Sequence, residues 1–220
     1  MDKAEAPLFT PEELVDPKVE ITVPRGTVNQ LPLGRYEGPI ELISDVAALP
    51  SALERLRREP LLGFDTESRP VFRRGQSSLP ALLQLAGKDM VWLFQLQQLE
   101  PLDDLFAVLA DPHILKVGVA IRDDIKKLAE LHPFEPAGFA EISDFTQKAG
   151  IVNTGLRSLT ALFLQFRISK GAQVSNWARK ELSSSQVRYA ATDAWVSREL
   201  YLKLVSMDLA TAARPASLAS

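Results

Sequence analysis

Five side chains in this sequence stand out for the chemistry they could perform together. Asp65 and Glu67 lie two apart in Phe64-Asp65-Thr66-Glu67. On a β-strand, such residues project to the same face. Two carboxylates held that close repel, and each raises the other's pKa unless a cation sits between them. Asp123 and Asp124 follow Gly118-Val119-Ala120-Ile121-Arg122, and Tyr189 and Asp193 fall four apart in Tyr189-Ala190-Ala191-Thr192-Asp193-Ala194. On a helix that spacing puts the phenol and the carboxylate on one face. A fold that gathered four spaced acids and this tyrosine would form a carboxylate nest for divalent metal with a hydroxyl beside it. Those are the groups needed to cut a phosphodiester.

Each signal has an ordinary reading when taken alone. Asp-x-Glu can be a polar strand end entering a loop. Either acid of the Asp123-Asp124 pair can serve a helix start, where the positive end of the helix dipole favours negative charge. Tyr189 can be a buried tyrosine, and a buried Asp193 can be satisfied by a backbone amide, Arg188 or Arg198. The case rests on the positions acting jointly.

Bulk composition narrows the chemistry. The 220 residues are 46% hydrophobic and 24% charged, enough for one domain with a sizeable core plus tails. The net charge of −3 argues against an overall basic coat but allows a local basic rim. With no cysteine, disulfides, Cys-type zinc sites and thiol nucleophiles are excluded. The two histidines, His113 and His132, disfavour a His-based zinc centre and leave oxygen ligands with a hard cation. The first residues carry no basic-then-apolar signal, and no apolar run is long enough to span a membrane, so a cytoplasmic protein is expected.

The positioning elements follow from periodicity and punctuation. Residues 1–38 read as an extended N-terminal arm with a brief β-like stretch, Val19–Val23, and residues 208–220 as a disordered tail. Between them, Ile40–Ile43 reads as a strand and 44–58 as a helix with Val46, Leu49, Leu53 and Leu56 on one stripe. Leu61–Thr66 reads as a central strand. Ala81–Ala86 and Met90–Phe94 form a hairpin about Gly87-Lys88-Asp89, placed at one side of the sheet. A helix over 101–109, a strand over 114–119 and a helix from about 121 to Leu131 come next, and 142–205 reads as several helices. The expected architecture is α/β: a mixed β-sheet flanked by α-helices, compatible with a ribonuclease H-like core.

Taken together, the motifs resemble the DEDDy branch of the 3′→5′ exonucleases, nearest to the Werner-syndrome-type exonuclease domain and ribonuclease D. The likeness covers about residues 40–205, the exonuclease domain being set at 39–207. Phe64-Asp65-Thr66-Glu67, Val117-Gly118-Val119-Ala120-Ile121-Arg122-Asp123-Asp124 and Tyr189-Ala190-Ala191-Thr192-Asp193-Ala194 match its three motifs, supported by Leu156-Arg157-Ser158-Leu159 and Ser175-Asn176-Trp177. The apolar-x-x-apolar helix start after the second motif places the family ligand on Asp124, with Asp123 a bystander. Tyr189 stands four before Asp193, where the tyrosine branch has it; the sister branch's histidine position is Arg188.

The resemblance implies that Asp65, Glu67, Asp124 and Asp193 hold two divalent cations, Mg²⁺ or Mn²⁺, with Asp65 bridging and Tyr189 orienting the attacking water. It implies hydrolysis of single-stranded DNA or RNA 3′ ends to nucleoside 5′-monophosphates, with no organic cofactor. In a departure from those relatives, the sequence shows no helicase region and no room for an extra helical C-terminal domain, so a free-standing domain is expected. Substrate contacts would come from Thr66, Arg73, Arg74, Lys126 and Lys170, with Lys127, Arg167, Arg179 and Lys180 as further cations. Phe72 could stack on a base, whereas Trp177 is expected in the core. The alternative is a non-catalytic nucleic-acid-binding or interaction module that keeps the fold.

Overall fold

In a computed structural model of the chain, residues 25–71 and 78–210 are described. Six strands form one sheet in the order β1-β4-β3-β2-β5-β6. In chain order the elements are α1 (Arg25–Gln30), β1 (Ile40–Ile43), α2 (Leu49–Leu56), β2 (Leu61–Ser68), β3 (Pro80–Ala86), β4 (Val91–Gln95), α3 (Asp103–Leu109), β5 (Leu115–Gly118), α4 (Arg122–Leu131), β6 (Phe139–Glu141), α5 (Ile142–Lys148), α6 (Leu156–Leu159) and α7 (Ser184–Ser206). β3 runs antiparallel to both β2 and β4, while β1–β4, β2–β5 and β5–β6 are parallel.

Burial explains the strand sequences. Every residue of β3 and β4 is buried, so these strands read as apolar runs, broken by Gln84 in β3 and ended by Gln95 in β4. Helices cover both faces. Leu49, Ala52, Leu53 and Leu56 of α2 pack on one side with Phe64, Leu83, Leu85 and Phe94. On the other side α7 lays Ala190, Ala191 and Ala194 beside Leu82, Ala86 and Leu93. A capping box of Ser183 and Gln186 fixes where α7 starts.

β2 is the element that presents chemistry. Its first four residues are buried and its last four half-buried, so the strand leaves the core as it reaches Asp65, Thr66 and Glu67. Gly63 lets α7 cross directly over β2. A methyl there would meet the carbonyl oxygen of Ala194 and, at 2.9 Å, the Cβ of Arg198. Gly63→Ala is therefore expected to push β2 and α7 apart at a cost of roughly 2 kcal/mol. A thermal melt should show this as a drop of about 4–8 °C.

Several expectations are corrected. The β3–β4 hairpin lies inside the sheet, because β1 pairs parallel with the far edge of β4. A three-residue strand, β6, adds a further parallel edge. Residues 142–205 are not helical throughout: residues 165–183 hold no α-helix or strand. The helix read over 44–58 is a 3₁₀ turn at Val46–Ala48 running into α2. Within the arm, Arg25–Gln30 is helical rather than extended, and the β-like stretch Val19–Val23 lies outside the described residues. Among the described residues no helix is long and apolar enough to cross a membrane.

Candidate active site

The parallel pairing of β2 with β5 brings the end of β2 beside the β5–α4 turn. Asp124, in the first turn of α4, is half-buried and accepts a 2.6 Å hydrogen bond from the Thr66 hydroxyl. Asp123 points to solvent. The two neighbouring acids are thereby distinguished, and Thr66 acts on a carboxylate. Helix α4 has no side-chain cap of its own. Instead Glu141, at the end of β6, accepts from the backbone N–H groups of Ala120 and Ile121, both at 2.8 Å, and of Ser143 at 3.0 Å. Ala120 has φ +60, a left-handed conformation costly for a residue with a Cβ. The buried Glu141 carboxylate offsets that strain and sets the angle at which α4 delivers Asp124.

Across the cleft, α7 supplies Tyr189 and Asp193. The phenol donates to the Asp193 carboxylate, and Arg157 pulls on the same carboxylate electrostatically. Arg157 is itself tethered by a 3.1 Å bond from Nε to the carbonyl of Ile168. The buried Trp177 ring lies 6.0 Å from that of Tyr189, tilted by 42°, and packs beside it. Trp177 is thus a core residue, as expected.

Asp65, Thr66, Glu67, Tyr189 and Asp193 line one pocket of about 380 Å³, together with Arg157, Lys170 and Gln173. Asp124 meets this group through Thr66. Lys127 acts on Asp124 electrostatically. Lys126 is exposed on α4 and is not among the residues lining this pocket. Phe72, Arg73 and Arg74 lie outside the described residues.

The electrostatics are those of crowded acids. Burial, then the charges of Asp193 and Asp124, hold the Asp65 carboxyl well above its usual range, against one 2.9 Å bond from the Thr66 N–H. Burial, then Asp65, Asp193 and Asp124, push Glu67 up to about 10. Burial raises Asp124, opposed by the Thr66 bond and Lys127. Asp193 is pushed up to about 7 by burial, opposed by Tyr189 and Arg157. Burial followed by the surrounding carboxylates raises the Tyr189 phenol, so it is a neutral donor at physiological pH.

Among the described residues no three acids are already spaced as a closed metal shell. Asp124 is engaged with Thr66, and Asp193 with Tyr189. The donor chemistry nevertheless fits a hard divalent cation: the ligating groups are carboxylate oxygens whose negative charges repel one another.

Comparison with known proteins places the chain in a family. A family model described as 3′-5′ exonuclease matches residues 40–207. The chain belongs to the 3′-5′ exonuclease family. This exonuclease-family chain is 32% identical over 194 residues to a ribonuclease D of Gluconacetobacter diazotrophicus, covering 80% of this chain and 48% of that protein. It is 30% identical over 192 residues to an exonuclease mut-7 homolog of Aedes aegypti, covering 75% of this chain and 26% of that protein. The chain thus spans half or less of the length of these relatives. Among solved structures, the Nibbler EXO domain of Aedes aegypti superposes with a TM-score of 0.73 at 22% identity, covering 84% of this chain and 97% of that one. Escherichia coli RNase D gives 0.71 at 24%, covering 81% and 48%. The shared fold is the ribonuclease H-like mixed sheet flanked by helices.

Two functional groups escaped the sequence reading of the site. Arg157 was visible only as part of Leu156-Arg157-Ser158-Leu159, with nothing to mark its charge as facing Asp193. Glu141 ends a strand of three residues, too short to register as a period-2 pattern.

Proposed function

We propose that this chain is a metal-dependent 3′→5′ exonuclease that hydrolyses single-stranded DNA or RNA ends to nucleoside 5′-monophosphates. The observation that carries the proposal is the shared pocket of Asp65, Glu67, Asp193 and Tyr189, with Asp124 joined through Thr66. Membership of the 3′-5′ exonuclease family and relatives named ribonuclease D support it.

Asp65, Glu67, Asp124 and Asp193 would hold two Mg²⁺ or Mn²⁺ ions. When bound, such ions would supply an acidified water and charge stabilisation at phosphorus and the leaving 3′-oxygen. Thr66 keeps one Asp124 oxygen aligned. Tyr189, neutral and packed beside Trp177, orients the attacking water through its hydroxyl rather than abstracting a proton. Arg157 and Lys170 bring positive charge to the pocket wall for the terminal phosphate.

Tyr189→Phe removes one hydroxyl and keeps the ring on Trp177. It is expected to lower kcat about 30-fold, or ~2 kcal/mol, with KM near normal because metal and phosphate contacts remain. Steady-state kinetics on a short oligonucleotide check this. The proposal itself is tested with 3′-labelled and 5′-labelled DNA and RNA oligonucleotides in Mg²⁺ or Mn²⁺. Early release of a labelled mononucleotide from the 3′ end is expected. Internal fragments, or no metal-dependent cleavage, would overturn it.

A further inference from the structure

A second, larger cleft of about 800 Å³ adjoins the candidate active site, and Ser169, Tyr189 and Asp193 line both. One wall comes from residues 33–35, ahead of the 40–207 region that matches the family. That segment is fastened in place. Gly34 N–H donates to the Arg167 carbonyl at 2.9 Å, and Arg167 N–H returns a 2.9 Å bond to the carbonyl of Pro32. Tyr36 N–H donates to Thr192 Oγ1 at 3.1 Å, and Arg188 donates to the Tyr36 carbonyl at 2.7 Å. The buried Tyr36 ring packs 5.7 Å from Trp195.

The cleft carries three guanidinium groups, Arg35, Arg179 and Arg188. Arg35 and Arg188 flank a single carboxylate, Glu37, at 2.6 and 3.9 Å. Arg35 and Glu37 are both about two-thirds exposed, so their pair is weak and exchangeable. Arg179 is exposed, and its position is set by its backbone: the Gln95 side-chain amide donates to the Arg179 carbonyl at 3.1 Å. An anionic chain entering the cleft would meet these cations immediately after leaving the acidic pocket.

Building on the exonuclease reading, we infer that this cleft is a binding track for the phosphodiester backbone upstream of the cleaved bond, with Arg35 and Arg179 as phosphate contacts and Glu37 as an internal competitor for Arg35. Guanidinium groups pair with phosphate through parallel N–H donors, which is stronger than one exposed contact to carboxylate. The track therefore has an occupant of definite chemistry, a single-stranded polyanion. Its outer wall is contributed by a segment outside the family-matched region.

The test measures binding without turnover. A short 5′-fluorescein oligothymidylate with phosphorothioate linkages is titrated in Ca²⁺ at several salt concentrations, with anisotropy as readout. Arg35→Ala combined with Arg179→Ala is expected to weaken binding about tenfold and to make the salt slope shallower by about 1.4, as each contact to a single strand contributes about 0.7. Glu37→Gln is expected to act in the opposite direction, tightening binding about threefold by freeing Arg35. Unchanged affinity and slope in the double variant overturns the inference. So does weaker binding in Glu37→Gln. Metal-dependent release from a 3′ label is scored separately. Cleavage with an unaltered salt slope removes the track and keeps the exonuclease reading, whereas the predicted binding changes without cleavage do the reverse.

Discussion

Asp65→Asn is expected to reduce metal-dependent hydrolysis at least about 10³-fold, or ~4 kcal/mol, while leaving the chain folded. Asp65 sits where β2 leaves the core, and Asp193 and Asp124 are among the charges that raise its carboxyl. The resemblance to the DEDDy exonucleases would make it a ligand common to both ions, so its loss would damage both positions at once. The same substitution removes a half-buried carboxyl whose charged form is disfavoured by burial, Asp193 and Asp124 and has only one backbone bond in its favour. In EDTA near neutral pH the variant should therefore melt at or above the wild-type temperature. Loss of activity together with retained or increased stability separates a ligand from a folding residue. Near-normal turnover would defeat the assignment.

The second large effect is stabilisation by metal, with a definite pH dependence. Without a cation, burial pushes Asp193 up to about 7, and burial with the neighbouring acids pushes Glu67 up to about 10. In the unfolded chain such groups titrate near ~4. Between those limits the folded state keeps protons that the unfolded state has released. Stability of the metal-free protein therefore falls as pH rises from about 4 through the folded values. Burial lowers the Lys116 amine to about 8, an effect of opposite sign with pH. Its ammonium is fully buried against the carbonyls of Val108 and Asp111 and the ring of Phe139. Its contribution rises above about pH 8, so the comparison belongs below that value. Mn²⁺ at about one hundred times its dissociation constant should add ~2.7 kcal/mol, seen as a rise in Tm of about 5–10 °C. At one fixed Mn²⁺ concentration the rise should be larger at pH 7.5 than at pH 5.5, because at the lower pH protons already neutralise the acids and weaken binding. Calorimetry at the two pH values checks the sign, and an equal or smaller shift at pH 7.5 would contradict it.

What was legible in the sequence depended on how locally each feature is encoded. β3 and β4 announce themselves because both faces are buried and their residues are apolar apart from Gln84 and Gln95. The motif acids stand out because their spacing fits the period of their own element: two for Asp65 and Glu67, four for Tyr189 and Asp193. Residues 165–183 were misread because their shape is imposed from elsewhere. Gln95 and Gln98 donate side-chain amides to the carbonyls of Arg179 and Lys180, Gln186 donates to Asn176, and Trp177 is buried as an anchor. No periodicity within the segment encodes partners that far away. Glu141 escaped for the same reason. Its three backbone partners lie on two segments, and its role exists only once β6 pairs with β5. The interior position of the hairpin likewise depends on β1 finding β4, a pairing that separate strands do not specify.

The central claim is that acids distant in sequence form one seat for paired cations. Anomalous diffraction from crystals grown with Mn²⁺ tests it most directly. The account predicts two Mn²⁺ peaks within about 4 Å of each other, both touching Asp65, with Glu67, Asp124 and Asp193 completing their carboxylate ligands. Peaks on other side chains, or none in this pocket at saturating Mn²⁺, would contradict it.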